Sequence, residues 1–301
     1  MTTPQEYKSK WTVFAMSLPI FIEIGLQMLV PNMDQFMLSH YSQDAVAAVG
    51  NDNMIINMII LTLSVLSQAA TILIAHYRGA GNLSQASRVC SVSLALNLTL
   101  GTLISLILFL FPRFFLQLLG VPLEIYPDAT LYLRWIGLFI IIQSAYTAFI
   151  SFLRGFSLLR ETMLCSAVMN ILNICGNMVL IHGLGPIPSL GVLGVCISTN
   201  TAKTLGLVLV LYLCRKKTPI RLSLSHLRPF PKKELSKLLY LGIPSAGNLL
   251  LPVVPDDPDD LCESVWHCGN HYQGICLHHC HDQLPVLPIP GYGHPNSGQL
   301  L

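Results

Sequence analysis

The carboxylate of Asp34 is the side chain of this sequence with the clearest capacity for chemistry. It lies near the end of a long apolar stretch, in the segment 31–37, which reads PNMDQFM. Charged groups inside apolar spans are costly, so they are functional candidates. A carboxylate here could accept a proton or coordinate a hard cation, and either event would couple an ion gradient to transport. The alternative interpretation is a solvated aspartate at a membrane interface.

Two amides and a second carboxylate are further candidates. Asn173 and Asn177 are four residues apart, so both lie on one face of a helix. Their amides could supply oxygen ligands or bond to a neighbouring helix. Glu23 precedes Asp34 by about three helical turns. It is a candidate for an additional protonation site, or a carboxyl that bonds to a neighbouring helix.

Six long apolar runs contain these residues. The chain is 52% hydrophobic and 11% charged, whereas a soluble domain carries about 25% charged residues. Runs of about 20 apolar residues suit the hydrocarbon core of a bilayer. The runs cover 13–37, 46–74, 90–111, 131–153, 162–182 and 191–213, and a seventh begins near Leu238 and ends near Leu251. We predict an all-α polytopic membrane protein with six transmembrane helices and a stub of a seventh.

Basic residues predict the orientation of these spans. All but three of the 17 lysines and arginines precede the first run, follow the sixth, or lie in the second–third and fourth–fifth loops. The positive-inside rule places the N-terminus and the basic segment 215–237 in the cytoplasm. Beside a membrane span, this segment favours anionic lipid over nucleic acid as a partner. The absence of a recognisable cleavable signal peptide suits a bacterial inner membrane.

Several enzyme classes find no support in the sequence. We see no nucleotide-binding loop, so direct coupling to ATP within this chain is not expected. The apolar runs contain no nucleophile–base pair and no cluster of metal ligands. We therefore expect neither an enzyme nor a bound cofactor or metal.

Six short motifs occur in order between Trp11 and Gly247. They are PNMDQFML at 31–38, AVAAVG at 45–50, YRGAGN at 77–82, NILN at 170–173, GVLG at 191–194 and LGIPS at 241–245. Each motif is weak alone, and their combination is specific. In order and spacing they resemble one transporter family, the multidrug and toxic compound extrusion (MATE) family.

The resemblance implies one lobe of a two-lobe antiporter that exchanges protons or sodium for small organic cations. In this family an acidic residue of the first span is a principal ion site, and Asp34 matches it. The resemblance adds Asn173 and Asn177 of the fifth span and Thr199 of the sixth as helpers in cation coupling. Asn177 stands where some members carry a carboxylate, which weakens the expectation of a full sodium site. Substrate identity is not predicted.

Two other functions remain open at this stage. A lipid-linked oligosaccharide flippase of the same superfamily would need a strongly cationic cavity, and Lys203 is the one basic residue in the interior of a predicted span, since Arg134 lies at the start of the fourth run. A non-transporting membrane remnant, or the partner subunit of another chain, is the second alternative. The predicted organisation is a six-helix lobe at 1–214, a cytoplasmic linker at 215–237, the start of a seventh span at 238–251, and a tail at 252–301. We expect this chain to lack the second lobe of such a transporter.

The tail 252–301 has a different composition. It holds seven of the 19 prolines, six of the ten histidines and four of the nine cysteines. A zinc site is one interpretation, but the cysteine and histidine spacing fits no compact finger. Codons can be chosen so that a one-nucleotide shift turns 260–285 into apolar text resembling the family's seventh and eighth spans. We therefore expect an out-of-frame, disordered tail after a slip between about Gly247 and Leu251.

Resequencing the genomic DNA across codons 240–301 and beyond tests this expectation. We predict that a single inserted or lost base restores an open frame long enough for a second six-helix lobe. A confirmed frame, identical to the sequence above, would contradict the frameshift.

Overall fold

A computed structural model describes residues 10–183, 188–220, 222 and 232–250. Every regular element within these residues is a helix, and the predicted all-α class is confirmed. The predicted tail at 252–301 lies outside the described residues, as does much of the predicted linker at 215–237.

The helices follow one another with short connections. In chain order they are α1 (Lys10–Ser39), α2 (Gln43–Gly79), α3 (Leu83–Leu110), α4 (Pro112–Leu118), a 3-10 helix (Leu123–Ile125), α5 (Tyr126–Leu138), α6 (Ile140–Gly155), α7 (Leu159–His182), α8 (Gly191–Lys217) and α9 (Lys232–Leu250).

Four of the described helices, α2, α3, α7 and α8, are long and apolar enough to cross a membrane. Leu123–Leu138 and Ile140–Gly155 meet at a 46° bend, and they give a fifth candidate span if the bent pair is counted as one. The first predicted run coincides with α1, which is not one of these candidate spans. Six is therefore an approximate number of spans, and the predicted fourth run at 131–153 is interrupted by this bend.

Polar side chains satisfy the backbone where helices begin, end or break. Ser42 and Asn82 cap the N-termini of α2 and α3, each accepting a hydrogen bond from a backbone N–H of the first turn. At the break after α5, the hydroxyl of Ser105 donates to the carbonyl of Leu138 at 2.7 Å. A neighbouring helix thus supplies the missing partner for this carbonyl, as a break in a membrane helix requires.

Helix α7 lies between α1 and α8, and this placement positions the candidate site. Small residues let α7 and α8 approach closely. A Cβ atom at Gly194 would lie 2.6 Å from the carbonyl oxygen of Leu180, so only glycine fits there. Close backbone approach at small residues is a common basis of helix packing in membranes.

Candidate ion-coupling site

Asp34 of α1 is buried and bonded to α7. Its side chain is 6% exposed, and the Nδ2 of Asn177 donates to its Oδ1 at 2.5 Å. Asn177 is itself fully buried. This geometry does not match a solvated aspartate at a loop mouth, because both partners are removed from solvent. The carboxylate is held at the contact between two helices.

The other two predicted helpers join α7 to α8. The Nδ2 of Asn173 donates to the Oγ1 of Thr199 at 3.0 Å. The hydroxyl of Ser198 donates to the backbone carbonyl of Asn173 at 2.8 Å. Since Asn173 and Asn177 share one face of α7, the structure brings all four predicted coupling residues to a single region between α1, α7 and α8.

Two amide oxygens in this region still lack a partner. The Oδ1 atoms of Asn173 and Asn177 are buried and accept no hydrogen bond from the described residues. A buried acceptor without a partner is costly. Neutral amide oxygens beside a carboxylate are ligands that a hard cation accepts. The donor set therefore fits a small cation, and the same oxygens could accept hydrogen bonds from a water molecule.

Lys203 of α8 supplies a positive charge to the same region. It follows Thr199 by four residues and so lies on the same helix face. Its ammonium interacts electrostatically with the Asp34 carboxylate. The sequence could not identify a partner for Lys203, because that partner is distant along the chain. The charge of Asp34 is thus partly balanced before any ion binds.

Glu23 belongs to a different cluster. Its carboxylate, on a residue 1% exposed, accepts from Arg154 at 2.7 Å and from the hydroxyls of Thr162 and Ser166 at 3.2 Å each. Eleven residues of helix separate it from Asp34, which is about 16 Å along the axis. These contacts join α1 to α6 and α7. They favour the structural interpretation over an additional protonation site.

One buried carboxylate was missed by the sequence reasoning. Asp52 of α2 is 0% exposed, and neither of its oxygens accepts a hydrogen bond of standard geometry from the described residues. It lies inside the predicted run 46–74, so the rule that selected Asp34 would also have selected it.

A family model described as MatE matches residues 19–179, more than half of the chain. The chain belongs to the MatE family. This assignment confirms the resemblance inferred from the motifs.

Curated relatives agree with the family and differ in length from this chain. An uncharacterized transporter, YisQ of Bacillus subtilis, is 37% identical over 240 residues, which cover 80% of this chain and 53% of the relative. A probable multidrug resistance protein NorM of Acinetobacter baylyi is 28% identical over 77% of this chain and 52% of its own length. The chain thus spans about half the length of the curated relatives it matches.

Solved structures support the same fold. An outward-facing multidrug resistance MATE family transporter aligns with a TM-score of 0.70 and 24% identity, over 79% of this chain and 52% of that one. A MATE in complex with MaD3S gives a TM-score of 0.72 at 24% identity, over 79% and 53% respectively. At this level of identity the comparison shows the fold alone, and it matches one half of each transporter.

The Glu23 cluster allows a stability prediction with an internal control. Replacement of Arg154 by Met removes the cation that pairs with a buried carboxylate, which costs about 3 kcal/mol when such a pair is broken. Lys217 pairs with Glu161 at the end of α8, with 43% of the lysine side chain exposed. Its replacement by Met should cost about 0–1 kcal/mol.

The free energy of unfolding of both variants in one detergent tests this difference. Equal losses for Arg154→Met and Lys217→Met would show that the pair at the buried Glu23 carboxylate contributes no more than the exposed pair.

Proposed function

We propose that this chain forms the first lobe of an antiporter that exports organic cations in exchange for protons or sodium. The observation that carries the proposal is the buried Asp34 carboxylate, bonded to Asn177 and accompanied by two amide oxygens without partners. The relatives named as probable multidrug resistance proteins support the direction and class of transport.

Competition for one carboxylate gives a physical basis for exchange. An organic cation or a coupling ion can neutralise Asp34, but both at once would leave an uncompensated positive charge in an apolar span. Lys203 strengthens this competition, because its ammonium already offsets part of the negative charge of Asp34 and leaves less of that charge for a second cation. Entry of one cation therefore promotes release of the other, which is the requirement for antiport.

Alternating access requires a second lobe. In transporters built from two related bundles, one bundle rocks against the other around a site at their interface. We propose that this chain does not transport alone, and that the proposed site works when a second six-helix lobe is present. The proposed location is a bacterial inner membrane, with the N-terminus in the cytoplasm.

The flippase alternative is not favoured. A lipid-linked oligosaccharide carries a large anionic group, which needs several basic side chains in the cavity. Within the described spans, Lys203 is the basic residue placed near the candidate site, and its charge faces Asp34.

Transport by a fusion protein tests the proposal. Residues 1–247 would be joined to the second half of the Bacillus relative YisQ and expressed in a strain that lacks its own drug pumps. We expect efflux of a fluorescent organic cation by the fusion and no efflux by the 301-residue chain. Asp34→Asn should reduce the efflux rate at least tenfold, because the amide cannot accept the coupling ion.

Asp44→Asn is the matched control, since Asp44 is an exposed aspartate in the first turn of α2. It should leave the rate unchanged. Efflux by the 301-residue chain alone, or by the Asp34→Asn fusion at the normal rate, would contradict the proposal. Separate assays with an imposed proton gradient and an imposed sodium gradient identify the coupling ion.

A further inference from the structure

Asp52 is a carboxylate that the proposed mechanism does not use. It lies on α2, one turn after the buried residues Ala48 and Val49, and is itself fully buried. None of the three ion pairs found among the described residues includes Asp52. Both of its oxygens also lack a hydrogen bond of standard geometry within that part of the chain.

The surroundings of Asp52 are neutral. From α5, the backbone N–H of Leu133 makes a hydrogen bond to the Asp52 carboxylate that falls outside standard geometry, and the ring of Tyr132 lies within electrostatic range. From α8, the thiol of Cys196 also lies within electrostatic range of the Asp52 carboxylate. The hydroxyl of Tyr132 is already used, since it donates to the Oδ1 of Asn53 at 3.1 Å. No cation among the groups recorded around Asp52 balances an ionised carboxylate.

This neutral environment determines the protonation state of the Asp52 side chain. An isolated ionised carboxylate in an apolar medium is strongly disfavoured, and such a group takes up a proton instead. Glu23 shows the contrast within the same lobe, because Arg154 and two hydroxyls surround its carboxylate. Asp34 also differs, because it has both Asn177 and Lys203.

We propose that Asp52 is a second proton-binding carboxylate of this lobe, held at the junction of α2, α5 and α8. It binds one proton on a carboxylate oxygen and stands as the neutral acid in the resting lobe. This inference depends on the geometry around Asp52 and holds whether Asp34 couples to protons or to sodium.

Tyr132 places this second carboxylate in the same electrostatic neighbourhood as the first. The Tyr132 ring, 4% exposed, interacts with both Asp34 and Asp52. Helix α8 lies beside both groups, with Cys196 near Asp52, and Thr199 and Lys203 on the Asp34 side. Tyr132 is therefore an electrostatic link between the two carboxylates, and all three side chains are buried, which strengthens such interactions.

The other titratable groups on elements packed against α2 lie at exposed or half-buried positions, or have partners elsewhere. Helix α5 also carries Arg134, which is exposed, and Tyr126 and Asp128, which are half-buried. The 3-10 helix carries Glu124, which is exposed, and the half of α3 at 97–110 carries none.

The buried groups of α1 and α6 have partners of their own, since Glu23 pairs with Arg154 and the hydroxyl of Tyr146 bonds to that of Ser166. The titratable groups found around Asp52 are thus Tyr132 and Cys196, and Tyr132 is also within electrostatic range of Asp34.

Infrared spectroscopy of the full 301-residue chain in lipid nanodiscs tests the proposal. Protein labelled with carbon-13 at aspartate shows the carbonyl stretch of a neutral carboxylic acid apart from the bands of ionised carboxylates. We expect such a band at neutral pH, and we expect Asp52→Asn to remove the part of it that corresponds to one proton per chain. Asp44→Asn, on the same helix but exposed, should leave the band intact.

Three results would overturn the proposal. The first is the absence of a carboxylic acid band, and the second is a band that persists in Asp52→Asn and disappears in Asp34→Asn. The third is a carboxylate band of Asp52 that shifts when sodium is added, which would assign a metal ion rather than a proton.

Thermal unfolding provides a second measurement that does not depend on band assignment. Asn closely resembles a neutral aspartic acid in shape, so Asp52→Asn should unfold within a few degrees of the wild type. A large loss of stability would show that the ionised carboxylate makes contacts that an amide cannot replace.

Discussion

The cost of burying polar groups is the constraint on which this structure depends. Inside a bilayer, each carboxylate, amide and freed carbonyl needs a partner from another helix, because water cannot supply one. Glu23 meets this need with Arg154 and two hydroxyls, and the carbonyl at the α5–α6 break meets it with Ser105. Asp34 meets it only in part, through Asn177 and the charge of Lys203. The groups that remain incompletely satisfied are those with capacity left for an ion.

Helix α7 supplies polar partners to its neighbours at several points along its length. Near one end, Thr162 and Ser166 bind Glu23 of α1. Farther along α7, Asn177 donates a hydrogen bond to Asp34 of α1, and Asn173 donates one to Thr199 of α8. The contact at Gly194 brings α8 close enough for these bonds to form. A cation that draws Asp34 away from Asn177 would therefore loosen α1 at one point while Glu23 holds it at another.

The sequence predicted the part of this arrangement that follows from local spacing. Hydropathy located the spans, and the four-residue interval placed Asn173 and Asn177 on one face. The partner of Lys203 and the saturation of Glu23 could not be predicted, since both depend on how distant helices pack. The bend at Phe139 was also missed, because the apolar run continues through it without a proline, and the single glycine before it, Gly137, does not by itself predict a break. Asp52 was overlooked although its position inside an apolar run was visible.

The central claim is that Asp34 holds either the coupling ion or an organic cation, and never both. Counting the ions released when an organic cation binds tests it most directly. The fused transporter, purified in detergent, would be titrated with the cation while released protons or sodium ions are measured. The account predicts one proton or one sodium ion released per cation bound, and none from Asp34→Asn. Binding with no release, or the same release from Asp34→Asn, would contradict it.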